Sequence, residues 1–401
     1  MNIRHADIVV AGGGIAGLTA TAALAGAGFK VICVEPQAPV TDSTSADADL
    51  RSTAFLEPSV DLLRDAGLWP GLAPFATDLA VMRLADAGGP ENTLREVADF
   101  EAVTLGQPRF GVNLPNWVIR REMTSTLATL PDADVLTGLR VTRSTPRSRE
   151  MILALSDGSQ IRAALAVAAD GRDSPLRAAA GIGTRRWDYG QQALVFAVSH
   201  PLPHENTSTE IHRSGGPFTL VPLPDQDGVP HSAVVWMETG PRSGNLQAMG
   251  PAEFEAALNQ RACNVLGPLS LASPIARWPI ASQIAARFDA PRLALVAEAA
   301  HVMPPIGAQG LNTSLADIGA LRDLLIAARD AGRNIGDASL LARFNRARYA
   351  DTLARILGID ALNRAAMVET PRLRDLRNAG LRVLRDVAPL KQTAMRMGLG
   401  A

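Results

Sequence analysis

The stretch Ala299-Ala300-His301-Val302-Met303-Pro304-Pro305-Ile306-Gly307-Ala308-Gln309-Gly310-Leu311-Asn312 carries two prolines, which exclude a regular helix or a central strand there. Gly307 and Gly310 then let the backbone lie closer to a neighbour than any side chain would permit. Directly downstream, Leu315, Ile318, Leu321, Leu324 and Leu325 repeat at helical spacing, so the loop delivers its last N–H groups to a helix start. An irregular loop ending in a helix N-terminus stabilises anions. The rest of the chain must say which anion.

A chain of 401 residues, 47% hydrophobic and 20% charged, predicts a soluble globular protein with two packed domains. The formal charge of -1 lacks the basic excess of a nucleic-acid binder. Cys33 and Cys263 stand in neither metal-ligand nor redox spacing, and they read as buried reduced thiols of a cytoplasmic protein. The uncharged run Ile8 to Phe29 has the length of a membrane span, but Gly12-Gly13-Gly14 breaks it near its start. Strand, turn and helix account for it better.

In that run, Asp7-Ile8-Val9-Val10-Ala11 is a short apolar strand, followed by Gly12, Gly14 and Gly17 in G-x-G-x-x-G order. Ala20, Ala23 and Leu24 keep one face of the next helix small. A second strand, Lys30 to Val34, ends at Glu35, where a ribose-binding acid belongs in a dinucleotide fold. Gly12 permits the turn, Gly14 lets a pyrophosphate approach the backbone, and Gly17 allows close helix packing. The motif leaves NAD and FAD both open.

Asp157-Gly158 joins two further strands, Met151 to Leu155 and Gln160 to Ala169, as a hairpin. The second strand runs into Asp170-Gly171-Arg172-Asp173-Ser174-Pro175-Leu176-Arg177. Here the chain resembles the flavin-dependent aromatic hydroxylases, the para-hydroxybenzoate hydroxylase superfamily. Asp170, Gly171, Ser174 and Arg177 match that family's second fingerprint, and the opening stretch matches the third. One departure stands out: Ala297-Glu298 replaces the family's Gly-Asp, whose aspartate bonds the ribityl chain of FAD. Glu298 keeps the charge and adds one methylene. The resemblance also implies that Arg51 lies near the flavin and that Arg120 opens a helix against the FAD phosphates, with Arg121 one residue away as the alternative. Arg348, Asp360, Leu362-Asn363-Arg364 and Leu376 to Leu381 look like the ubiquinone-biosynthesis hydroxylase branch.

The implied fold is α/β. A Rossmann-like FAD-binding domain in three parts (1–70, 106–182, 286–335) interleaves with an antiparallel-sheet substrate domain in two (71–105, 183–285), followed by a C-terminal helical segment (336–401). In the middle, the runs 193–198, 218–223 and 233–237 read as strands between Pro- and Gly-rich turns. Phe218 and Trp236 are candidate substrate-pocket residues, with core packing as the alternative. The tail from Arg372 to Met397 is basic and amphipathic. It predicts peripheral contact with the inner face of a membrane, contact with a biosynthetic complex, or packing on its own domain.

The chemistry implied by the resemblance is hydroxylation of a polyprenylated phenol, with NAD(P)H reducing FAD and a flavin hydroperoxide passing one atom of molecular oxygen to the ring. Backbone N–H groups at Gly310, Leu311 and Asn312 would stabilise reduced flavin, while Pro305 and Ile306 form a dry wall. No catalytic acid or base and no metal site is identifiable; His301 reads as a structural residue. Three alternatives remain: an isoprenoid reductase of the same fold, a hydroxylase of a small soluble aromatic acid with a buried arginine clamp, and an assembly subunit that retains FAD.

Overall fold

The structure is a computed structural model describing all residues except 1, 43, 46–47, 88–92, 214, 369–370 and 400–401. The strand Ile3–Ala11 pairs in parallel with Val31–Glu35 on one side and Gln160–Ala168 on the other. Ala133–Thr137 and Leu293–Leu295 extend this parallel set outward. Ile8, Val9, Val10, Val31 and Leu165 are buried, as expected for parallel strands covered on both faces. The hairpin through Asp157-Gly158 forms as expected, with Met151–Leu155 antiparallel to Gln160–Ala168.

The helix Ile15–Gly26 is buried from Ala16 to Ala25 and so shows almost no polar face. Its small residues suit a position between the helices Asn116–Leu127 and Gln309–Asp330, which both pack on it. The carboxyl ends of three parallel strands therefore converge on Gly12, Glu35 and Ala169, where open α/β sheets bind ligands. Cys33 lies fully buried in this layer, and burial pushes its thiol up to about 12. Cys263 is a half-buried free thiol.

The second sheet draws its strands from Val81–Ala87, Leu94–Glu101, Thr184–Ser199, Thr207–His212, Pro217–Gln226, Val229–Thr239 and Ala276–Ala285, with shorter pieces at Ser270–Leu271 and His301–Val302. It is antiparallel with one exception: Thr207–His212 runs parallel to Val81–Ala87, because the earlier hairpin joins the sheet edge after a long excursion of the chain. His301–Val302 adds an edge strand from the stretch that opens the sequence reading, which ties that loop directly to this sheet. A third, three-stranded sheet of Ser52–Leu56, Gly111–Pro115 and Thr77–Leu79 lies between the two in sequence.

Alternation along the middle strands divides their side chains between two cores. Ala193 and Met237, with Val195 and Val235, pack into the cluster that also holds the parallel sheet. Leu194, Phe196, Phe218, Val234 and Trp236 pack on the opposite face against Phe254 and Leu258 of the helix Pro251–Ala262. Phe218 and Trp236 meet edge to face at 5.6 Å. The candidate pocket residues of the sequence reading thus occupy the core on the face turned away from the parallel sheet, where the pleat requires them to point.

The helix Ala338–Met367 crosses the molecule, and Pro371–Asp386 and Ala388–Leu399 follow it. The tail packs on its own domain. Leu381, Leu384 and Met395 join a small cluster with Phe100 and Phe110, and Arg382 and Arg385 pair with Glu96. The apolar residues of this amphipathic tail are divided, with Leu384 turned inward while Val383 and Val387 are exposed. Leu373 and Leu376 have side chains outside the described residues. Among the described residues, no helix is long and apolar enough to cross a membrane.

Candidate active site

Gly12 adopts φ +101°, and a Cβ there would sit 2.3 Å from the Ala169 carbonyl oxygen. A Cβ on Gly17 would sit 1.9 Å from the Gly12 carbonyl oxygen. The turn is therefore glycine-only by contact with the second fingerprint as well as by its own dihedral. Gly14 differs: a Cβ there meets nothing within 4 Å, leaving an open approach to the backbone at the start of an uncapped helix. Glu35 accepts from the Gly13 N–H at 2.5 Å and from the Gln37 N–H at 3.0 Å, which fixes its carboxylate beside the turn.

The three fingerprints are held together by named bonds. Arg177, buried, donates to the Ala299 carbonyl at 2.9 Å and to the Arg172 carbonyl at 2.9 Å. Asp170 accepts from the Leu176 N–H at 3.1 Å through one oxygen, while its other oxygen, Oδ1, is buried and has no hydrogen-bond partner among the described residues. Burial pushes the Asp170 carboxyl above its ordinary range. A ligand hydroxyl donating to that oxygen would satisfy it.

Arg120 and Arg121 separate cleanly. Arg121 donates to Glu122 at 2.6 Å and lies 4.9 Å and 5.0 Å from the ring centres of Phe75 and Trp117. Arg120 Nε is buried without a hydrogen-bond partner among the described residues. The structural work falls to Arg121, and the donor left for an anion is that of Arg120. Arg51 is held by Asp49 through two bonds of 2.7 Å and stacks 4.5 Å above Trp278. Burial alone would lower the Arg51 guanidinium, but the bonds and charge of Asp49 reverse this and hold it above its ordinary value.

The opening loop ends with Ala308 at φ +56° and the helix Gln309–Asp330, whose N-terminus has no side-chain cap. Gly310, Leu311 and Asn312 fall in its first turn. The Asn312 side chain accepts from the Leu56 N–H at 2.8 Å and donates to the carbonyls of Ala54 and Ala308 at 2.8 Å and 2.7 Å. Its amide is consumed in clamping this helix to the strand Ser52–Leu56, which leaves its backbone for ligand contact. Pro304 and Ile306 are buried, whereas Pro305 is exposed. Glu298 follows Ala297 at φ +56°, with its carboxylate exposed and 3.5 Å from Arg172.

His301 is buried and bonds through Nε2 to Asp317 at 2.7 Å, and Arg348 holds the other Asp317 oxygen at 2.6 Å. This fits the structural reading of His301. Asp360 accepts from Tyr189 at 2.7 Å and from Trp187 at 3.1 Å, and Asn363 donates to Gln191 at 2.8 Å. The C-terminal motif residues therefore staple the long helix to the second sheet. Sequence reasoning missed Asp49, Asp317, Arg172 and Trp278. Asp49, two residues before Arg51 in a polar loop, and Arg172, inside the second fingerprint, carried a local signal.

The residues present suit a flavin dinucleotide. An open glycine turn, a fixed acid, an unpartnered arginine donor, an unpartnered acid oxygen and a second uncapped helix lie in or next to the three fingerprints. Fold and site together define a flavoprotein monooxygenase of the aromatic hydroxylase class. The FAD binding domain family matches residues 5–351, and the chain belongs to that family. It is 33% identical over 397 residues to ubiquinone hydroxylase UbiL of Rhodospirillum rubrum, covering 99% of this chain and 90% of that one. It is 29% identical to 3-demethoxyubiquinol 3-hydroxylase of Escherichia coli, covering 100% of both. In fold it is similar to p-nitrophenol 4-monooxygenase PnpA of Pseudomonas putida, with a TM-score of 0.79, 20% identity, and coverage of 100% of this chain and 99% of that one.

Proposed function

We propose that this chain hydroxylates the aromatic ring of a polyprenylated phenol in ubiquinone biosynthesis, using molecular oxygen and NAD(P)H as a transient reductant. The observation that carries the reading is the convergence of the fingerprints: Gly12 against Ala169, Arg177 against Ala299, and Asn312 against Leu56. The names of the ubiquinone hydroxylase relatives support the pathway.

Bound FAD supplies oxygen activation and transfer of one oxygen atom to the ring. The chain's own residues bind, orient and shield. Gly12, Gly14 and Gly17 shape the pyrophosphate cradle, Glu35 meets the ribose, Arg120 meets a phosphate and Asp170 accepts from a sugar hydroxyl. Glu298 stands exposed beside Arg172 and Arg51, with room to turn toward the ribityl chain. The N–H groups of Gly310, Leu311 and Asn312 favour negative charge on the ring they face. Ala193, Val195, Val235 and Met237 share a core cluster with Met303 and Ile306, an apolar wall suited to a lipid-like phenol and to excluding water.

A small aromatic acid would need a buried arginine on that wall. Among the described residues of the middle segment, the buried arginine is Arg261, and it packs in the cluster on the other face, over Phe218 at 5.3 Å. The exposed Val383, Val387 and Leu390, close in sequence to Arg382 and Lys391, suit peripheral contact of a cytoplasmic protein with the membrane that holds such a substrate. Replacing Val387 and Leu390 with Glu leaves the packed Leu384 and Met395 in place, and liposome binding should be lost without a change in melting temperature.

The test of the reaction is to mix the FAD-loaded chain with NAD(P)H, air and a polyprenylated phenol, following oxygen uptake and product mass. A product heavier by one oxygen atom supports the reading. Reduction of a double bond without oxygen uptake would make the chain a reductase. Retained FAD that NAD(P)H never reduces, with any quinone precursor, would make it an assembly subunit.

A further inference from the structure

A cavity of about 260 Å³ lies on the side of the second sheet turned away from the cofactor region, between the strand Val229–Thr239 and the helices Gly240–Ala248 and Pro251–Ala262. Trp236, Glu238, Arg213, Arg242 and Arg261 line it. Arg261 is 4% exposed; one of its terminal nitrogens, Nη2, donates to the carbonyls of Ile211 and Gly216 at 3.0 Å and 2.9 Å. Among the described residues, its Nε and Nη1 have no hydrogen-bond partner, and neither does Trp236 Nε1, which is also buried. All three unsatisfied groups are N–H donors. Leaving such donors buried and unpaired is costly, and each is an argument for a missing acceptor.

Charge points the same way. Three arginines line the cavity against one acid, Glu238, whose Oε1 already accepts from the Thr239 N–H at 2.9 Å and whose Oε2 lies 3.9 Å from Arg242. Burial pushes the Arg261 guanidinium down to about 10 and the charge of Glu238 partly offsets this, so it remains charged near neutrality while its own hydrogen bonds go to carbonyls rather than to a carboxylate. Water filling the cavity would accept hydrogen bonds without neutralising that charge. The volume is below the roughly 300–1,000 Å³ of a drug-sized ligand site, which selects a small occupant.

We propose that this cavity is a binding site for a small oxyanion, a phosphate or a carboxylate, held by Arg261 and Trp236 with Arg242 at its rim. The site is separate from the flavin cradle, and its occupant bears on the packing of the two helices against the sheet rather than on the oxygen chemistry.

Calorimetry with inorganic phosphate, and in a second arm acetate, tests this on the full chain saturated with FAD, using sodium chloride of equal ionic strength as the control. Saturable binding and a rise in melting temperature with phosphate identify a phosphate site; the same response to acetate alone identifies a carboxylate site. Trp236→Phe keeps the ring and removes the donor, and Arg261→Met removes both free donors; each should weaken binding by about tenfold or more. Arg242→Gln, at an exposed side chain, should weaken it by about threefold and keeps the test decisive if the Arg261 variant does not fold. No saturable response, an equal response to chloride, or unchanged affinity in the Trp236 and Arg242 variants overturns the proposal. So does binding that appears only without FAD, since that places the anion at the glycine cradle.

Discussion

Two helix starts flank the cofactor region, and they are built in opposite ways. The start at Ile15 follows a turn set by backbone contacts: Gly17 packs on Gly12 within one short segment, and Gly12 on Ala169 at the end of the neighbouring parallel strand. The start at Gln309 depends on residues far away in the chain. Asn312 clamps it to Ala54 and Leu56, and the loop before it is gripped at Ala299 by Arg177. Neither start has a side-chain cap, so both leave N–H groups for a ligand. The first device is specified by steric exclusion and the second by hydrogen bonds. The first should fail abruptly on substitution, and the second by degrees.

The largest effect is expected at Gly17→Ala. Its Cβ would have to displace the Gly12 carbonyl, at a cost of about 3 kcal/mol or more, so FAD affinity measured by flavin fluorescence should fall at least about a hundredfold. A flavin affinity unchanged in that variant would break the contrast. Asn312→Ala comes next. It orphans the Leu56 N–H and the Ala54 carbonyl at a cost of about 2 kcal/mol, and the flavin-free protein should melt lower while FAD still binds.

Asp170 sharpens the comparison through pH. Its carboxyl is raised by burial above the ordinary 3.8, so the folded chain holds a proton there that the unfolded chain releases first. Stability of the flavin-free protein should therefore fall as pH rises from 3.8 through the raised value and then level off, as far as this group contributes. Asp170→Asn should remove that component from a melting series. If a sugar hydroxyl donates to Oδ1, FAD binding favours the charged form and should release a proton in the same window, visible by calorimetry in buffers of different ionisation heat. The smallest effect is expected at Glu298→Asp. The side chain is exposed and only 3.5 Å from Arg172, so FAD affinity should change by no more than about threefold.

The second sheet offers a parallel lesson. Phe218 and Trp236 are conspicuous in sequence as large aromatics on middle strands, yet Val235 and Met237, one residue away along the pleat, face the parallel sheet. Strand alternation was legible; which face meets the flavin-binding half was not, because that depends on how the sheet docks. The arginine pair behaves similarly. Trp117, one turn earlier on the same helix, and Glu122 were local signals for Arg121, but Phe75 is brought up by another segment, and the buried Arg120 Nε left without a partner among the described residues shows only in the fold. The tail was legible as amphipathic, but Glu96 and Phe100 on a distant strand determine that part of its apolar face turns inward.

The sequence by itself determined the glycine turn, the acid at the end of the second strand, the interrupted Pro-Pro loop and the helix after it. Each is a short-range consequence of backbone sterics or periodicity, and needs no distant partner to be recognised. Tertiary structure alone decided that Arg177 joins two fingerprints, that Asn312 spends its amide on a clamp, and that Arg261 lies on the far side of the sheet. Those outcomes rest on contacts between residues tens to hundreds of positions apart. Burial makes unpaired polar atoms costly only once such segments have met, so the donors and acceptors left over, at Arg120, Asp170, Trp236 and Arg261, are visible only in the folded chain.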